Sequence, residues 1–286
     1  MKATFSIVLR VVALSFILFF SYSVASLLVG LGTSSGSNTA VIWLFAVCLM
    51  SSIVVSYPVI RSKWNGWQLV LAIFIIFYGV TTFQSQIETV VFLQYLVDII
   101  PVGIVPRLFV QGIIVSALFS PFAVLIHGKM GSNREYEQSE SPKTSTRLDM
   151  PPKEWVWKLG LIAVIYVVVY ISFGIFIFRP LAGEAFQEYY ADLQLPAWIL
   201  PFQMLRGLIW AALALPVIKM MKGELWEAKL AVALLFSVLM GSLLLIPNPY
   251  MPDTIRLAHF VEVSSSNFVF GWVAAWILTL GVNSRG

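Results

Sequence analysis

Val156–Phe178 reads VWKLGLIAVIYVVVYISFGIFIF, with Lys158 as its one charge, near its start. About 20 mainly apolar residues are needed for a helix to cross the hydrocarbon core of a bilayer, and this run supplies them. Seven further runs have the same character: Thr4–Val29, Thr39–Ile60, Trp67–Phe83, Val105–Ile126, Ala197–Met220, Leu230–Ile246 and Phe260–Leu280. The run from Leu230 is short and the one from Phe260 has a polar approach, so seven spans is the competing count. Whole-chain composition agrees with the local reading. Hydrophobic residues are 59% and charged residues 11%, with mean hydropathy +0.88, whereas a soluble domain carries about 25% charge. The expected fold is an all-α polytopic membrane bundle, a single membrane domain over residues 1–286 with about eight transmembrane helices arranged as four hairpins.

A signal peptide is the alternative for the first run, since Lys2 and Arg10 precede an apolar stretch that ends in small residues. The apolar part continues from Val11 to about Gly30, longer than the roughly 7–15 residues of a signal h-region. An uncleaved first helix is the expectation. Cys48 is the one cysteine, which excludes an intrachain disulfide or thiolate metal cluster.

Basic residues mark the cytoplasmic ends of membrane helices. Lys2 and Arg10, Arg61 and Lys63, Lys129 to Lys158, Lys219, Lys222 and Lys229, and Arg285 fall on one side if eight runs span. Only Arg107, Arg179, Arg206 and Arg256 fall on the other. Both termini are therefore expected in the cytoplasm, with the chain integral to a plasma (bacterial inner) membrane. Trp64, Trp67, Trp155, Trp157 and Trp226 mark the inner boundary, and Tyr189, Tyr190, Trp198 and Tyr250 the outer one. Residues 130–153, with GSNREYEQSESPKTSTRLDMPP at Gly131–Pro152, read as a flexible cytoplasmic linker. The net charge of +4 gives no reason to expect nucleic acid, because the cations flank apolar runs.

A shift of 95 residues superposes Gly79 on Gly174, Pro101 on Pro196, Pro106 on Pro201, Gly112 on Gly207, Pro121 on Pro216 and Gly128 on Gly223. With 14 Pro and 18 Gly in the chain, about 0.3 such identities are expected over about 50 positions. Units 61–128 and 156–223 therefore read as an internal parallel duplication of one helical hairpin. Pro58-Val59-Ile60-Arg61 echoes Pro216-Val217-Ile218-Lys219, and Gly271 stands in the last run as Gly112 and Gly207 do in theirs. Recurrent Pro near helix ends and Gly at crossings is also ordinary membrane-helix chemistry.

Ionisable groups at membrane depth are costly and point to function. They gather on the outer side, most densely in Asp253–Gly271, DTIRLAHFVEVSSSNFVFG. At helical spacing Arg256, His259, Glu262, Ser266 and Asn267 share an arc of about 140°, which must face protein or a wet cavity rather than lipid. Gln84 and Glu88, and Arg107 and Gln111, repeat at i,i+4; Gln203 and Arg206 add a third helix. An outward-facing pocket of Glu88, Arg107, Arg206, Arg256, His259, Glu262 and Asn267 is expected. The connections Gln84–Ile100 and Ala182–Leu195 read either as covers over it or as plain helix extensions. Several chemistries lack their parts: there is no GxGD, no HExxH, no Walker loop, and no membrane-depth lysine for a Ser–Lys dyad. Two histidines do not make a bis-His haem site, and no cofactor is identified. His259 and Glu262, with Glu88, offer at most a three-ligand metal set.

Three functions fit these residues. One is transport or binding of a small anionic or zwitterionic solute, with arginines as the anion-binding groups. The second is a membrane-embedded hydrolase or transferase, metal-dependent if His259 and Glu262 act as ligands rather than as base. The third is a non-catalytic membrane assembly or partner protein whose charges pair with one another. The inner halves of the helices read as almost wholly apolar, which weighs against a transport route.

Overall fold

The computed structural model describes residues 2–31, 38–93, 101–131, 146–191 and 193–281. It is 83% helix and has no strands among these residues. The helices are α1 (Lys2–Leu28), α2 (Asn38–Ile60), α3 (Gly66–Phe92), α4 (Ile104–Ile126), α5 (Pro152–Ala182), the short α6 (Glu184–Tyr189), α7 (Ile199–Met220), α8 (Leu225–Leu245) and α9 (Asp253–Thr279). Among the described residues, eight of them, all but α6, are long and apolar enough to cross a membrane. Hydropathy placed the last two spans late. α8 begins at Leu225, where Glu224 and Glu227 form a capping box; α9 begins at Asp253. The charged first turns of both helices lower the local hydropathy, and in α8 the capping box satisfies N–H groups that the first turn leaves free.

The helices form four hairpins, α1–α2, α3–α4, α5–α7 and α8–α9, and α8–α9 is the most extensive helix–helix contact. α8 also packs on α2 and α7, α1 on α4, and α9 on α5. Ring pairs fill the centre: Phe77 on Phe119 at 4.8 Å, Trp210 on Phe236 at 4.4 Å, and Tyr166 on Phe270 at 4.9 Å. Side chains such as Phe5, Val156 and Phe176 point outward and are exposed, the disposition expected of a lipid-facing surface. Close approach depends on small residues. A Cβ on Gly207 would lie 2.8 Å from Tyr166 Cβ and 3.2 Å from Ala163 Cα. On Gly271 it would lie 3.0 Å from Ala233 Cα and 3.2 Å from the Val232 carbonyl.

One end of the bundle, the basic end, is laced by backbone bonds. Lys63 N–H donates to the Met220 carbonyl, Lys222 N–H to Arg61, and Gly66 N–H to Lys129, each at 2.8 Å. Arg61 pairs with Glu227 at 2.6 Å. Lys158 is buried here and caps α9, donating to the Leu280 carbonyl at 2.8 Å. Of the linker, residues 132–145 lie outside the described residues. Its far end is docked: Thr146–Leu148 is a 3-10 turn, Leu148 is buried, and Arg147 donates to the Gly223 carbonyl.

Structural counterparts recur at the 95-residue interval. α3 and α5 each contain a π-helical segment, at Gly79–Phe83 and Gly174–Phe178. α4 starts at Ile104 and α7 at Ile199. Gly128 and Gly223, just beyond those two helices, both have positive φ (71° and 80°), a conformation that favours glycine.

Candidate functional site

The outer polar residues of the sequence occupy the end opposite the basic end, in two linked groups. The first is centred on Arg206, which lies seven residues into α7, about 10 Å along its axis, and is buried. Its Nη1 pairs with Glu88 at 2.8 Å and donates to Gln203 Oε1 at 3.0 Å. Nε donates to Gln84 Oε1 at 3.4 Å and Nη2 to the Gln84 carbonyl at 3.1 Å. Gln84 Nε2 returns a bond to the Arg206 carbonyl at 3.1 Å, and Gln203 Nε2 donates to Glu88 Oε1 at 3.5 Å. The π-segment of α3 ends at Phe83, immediately before Gln84, so it sets the face that Gln84 and Glu88 present to α7. Burial of a guanidinium is tolerated because nearly every N–H has a partner.

The second group is built on α9. His259 Nδ1 lies 3.3 Å from Glu262 Oε2, and Nε2 lies 2.7 Å from the Tyr190 hydroxyl. The imidazole stacks on Phe178 at 3.9 Å. Burial raises the Tyr190 pKa above the usual phenol range, and the charges of Tyr189, Glu88 and Glu262 push it the same way. Tyr190 therefore stays protonated, and its hydroxyl and the Glu262 carboxylate hold the two ring nitrogens of His259. Both carboxylates act on Tyr190, which links the groups. Glu262 is nine residues into α9, about 13 Å along its axis.

The other expected members diverge. Arg256 is on the predicted face and buried, but it clamps its own surroundings, donating to the Leu244 carbonyl at the end of α8 and to Asp253, both at 2.7 Å. Asn267 lies deeper, with Nδ2 3.5 Å from Met240 Sδ. Arg107 is exposed and donates to the Gly30 carbonyl beyond α1 at 3.2 Å; it does not join the cluster. Among the described residues no three His, Cys, Asp or Glu side chains come together to hold a metal, so the Glu88–His259–Glu262 ligand set does not form. Gln84, Gln203, Tyr190 and Phe178 complete the site. Tyr190 had read as an interfacial anchor, and no spacing in the sequence links it to His259.

The two connections resolve differently. Gln84–Phe92 extends α3, while residues 94–100 lie outside the described residues. α6 instead folds over the start of α9: Phe186, Tyr189 and Tyr190 pack around Phe178, Ala182, Ile255 and Ala258. Tyr189 fastens it by donating to the Tyr250 carbonyl at 2.8 Å.

The halves of the helices nearer the basic end are not wholly apolar. Ser52, Ser56, Ser116, Ser120 and His127 are buried on α2 and at α4, hidden in the sequence because single serines barely lower hydropathy. His127 Nε2 and the Ser56 hydroxyl are 2.8 Å apart. Burial, with a smaller contribution from Arg10, pushes the His127 pKa down to about 4. A histidine whose folded pKa lies below its ordinary value of about 6.5 stabilises the fold fully above that value. The stability is lost as pH falls from about 6.5 towards 4. Detergent-solubilised protein should lose up to about 3 kcal/mol from this group over that window. His127→Gln should flatten the fall in melting temperature, and an unchanged pH profile would remove the assignment.

No known protein family, curated protein or solved structure matches this chain.

Proposed function

We propose that the chain is a plasma-membrane protein that binds, and carries as its cargo, a small zwitterionic solute at the end opposite the basic end. The basic end then faces the cytoplasm, with both termini on that side. The carrying observation is the state of the two carboxylates. Glu88 uses one oxygen for Arg206 and Gln203, and Glu262 uses one for His259. Their side chains remain 27% and 12% exposed, so each keeps acceptor capacity beyond its internal partners. An ammonium group is the donor that such acceptors take. Arg206 acts as a positioning residue: its bonds are internal, which argues against a purely anionic ligand. Arg179, 4.9 Å above the Phe186 ring on the cover, is the cation assigned to the anionic end on this reading. The 95-residue correspondences support descent of the α3–α4 and α5–α7 hairpins from one duplicated unit, and these hairpins supply Glu88, Arg206 and Tyr190 to the site while α9 supplies His259 and Glu262.

A thermal-shift titration of purified protein with glycine, γ-aminobutyrate, lysine and ethanolamine, with acetate as anionic control, tests this. At least one ammonium probe should stabilise saturably and acetate should not. Glu262→Gln should weaken that binding about 10- to 100-fold, the range for a hydrogen bond to a charged group. No response to any ammonium probe, or an unchanged response in Glu88→Gln and Glu262→Gln, would sink it. The internal ion pairs of Arg206 with Glu88 and of Arg256 with Asp253 favour a second reading, a non-catalytic partner protein. On that reading both substitutions alter melting alone.

A further inference from the structure

At the basic end, cations from four separate segments converge. The Lys129 ammonium, just beyond α4, donates to the Ser62 carbonyl at 2.9 Å, the residue before Lys63. Lys63 is bonded through its amide to Met220, and Lys222 through its amide to Arg61. Arg147, from the docked end of the linker, donates to Gly223, the residue after Lys222. The crowding is electrostatically felt. Burial and Arg147 both lower the Lys63 pKa, and burial and Lys222 both lower that of Lys129. Two carboxylates, Glu227 and Glu224, act on Arg147; Glu227 is already engaged by Arg61 at 2.6 and 2.7 Å and by the Glu224 amide, and the Glu224 side chain is used in the cap of α8.

A groove of about 260 Å³ opens beside this cluster, between α3 and α4. It is lined by Trp67, Val70, Phe74, Ala117 and Ser120, among others. It starts one residue after Gly66, whose N–H is bonded to the Lys129 carbonyl. Trp67 is 70% exposed and Trp226 54% exposed at the same end, which sets that end at the headgroup level of a membrane. The Ser120 hydroxyl is buried at the groove and has no protein partner.

We infer that Lys63, Lys129, Arg147 and Lys222 bind the phosphate of an anionic phospholipid whose acyl chain lies in the α3–α4 groove. Multiple cations at headgroup height answer a phosphodiester, and an apolar furrow leading into the membrane answers the tail. A soluble phosphate would use the cations and leave the groove idle. The site is separate from the carboxylate site at the opposite end, and neither depends on the other.

The test uses the full-length protein, delipidated in detergent and titrated with phosphatidylglycerol, phosphatidylcholine, glycerol phosphate and inorganic phosphate, read by native mass spectrometry and melting. Phosphatidylglycerol should bind and stabilise, while phosphatidylcholine should not. Lys63→Gln with Lys129→Gln should weaken phosphatidylglycerol binding about thirtyfold, and the Lys63→Arg/Lys129→Arg pair should retain it. Ala117→Phe, which fills the groove, should weaken lipid binding without touching a cation. Equal binding of phosphatidylcholine overturns the headgroup assignment. Glycerol phosphate or inorganic phosphate matching the lipid, or no effect of Ala117→Phe, overturns the lipid in favour of a soluble anion. If the glutamine pair misfolds, the Ala117→Phe and arginine variants still decide the question.

Discussion

Arg206→Ala should be the most damaging single substitution at the polar end, lowering stability in detergent by about 3–5 kcal/mol, the usual cost of removing one partner from a buried ion pair. The size follows from what is left behind. Gln84, Gln203 and Glu88 all turn acceptor oxygens towards the guanidinium, and Gln84 and Gln203 are fully buried. Without the cation these acceptors lose their donor in a site that water reaches poorly. Arg206→Lys should restore only part of the loss, because one ammonium cannot match the planar fork that reaches α3 and Gln203 together. Chemical or thermal unfolding of the three proteins measures this. A loss under 1 kcal/mol for the alanine variant would mean that the network is solvated and that Arg206 does not organise α3 against α7.

Gly271→Leu should be comparably severe through sterics alone. The neighbours of its would-be Cβ include backbone, Ala233 Cα at 3.0 Å and the Val232 carbonyl at 3.2 Å, so no rotamer change on α8 makes room. Even one added carbon overpacks this crossing, typically at about 1–3 kcal/mol, and a leucine must separate the most extensive helix pair of the bundle. The expected result is loss of monodisperse protein on size-exclusion chromatography, with Gly271→Ala intermediate. Gly174→Leu, where no heavy atom lies within 4 Å of the added Cβ, should be far milder. Equal tolerance at positions 271 and 174 would show that α8 and α9 are not held at this distance.

Much of the architecture is written in the sequence because a bilayer requires long apolar runs and little else imitates them. The eight spans and the polar face of α9 follow from length and periodicity. Glu88 and Arg206 were legible individually, but their pairing was not. It depends on the π-segment that phases Gln84 and Glu88, and no hydropathy pattern marks a π-turn. Arg107 carries the same charge as Arg206, yet it bonds a carbonyl near α1. Charge type does not encode direction; helix neighbours do. Tyr190 reaches His259 only because α6 folds over α9, a tertiary event set by packing around Phe178. The buried serines are not marked in the sequence, because each can be accommodated in an apolar helix and their burial is a tertiary property.

The paired π-segments also make the polar end separately adjustable. A π-turn acts as one extra residue in an α-helix, and closing it into α-helical register would turn everything beyond it by about 100°. In α3 that rotation would swing Gln84 and Glu88 away from Arg206; in α5 it would withdraw Phe178 from His259. The length of helix below each segment would keep its packing. A single-residue deletion can thus dismantle the carboxylate site while leaving the opposite rim untouched, and an insertion of the same size in a plain ancestral helix could have created it.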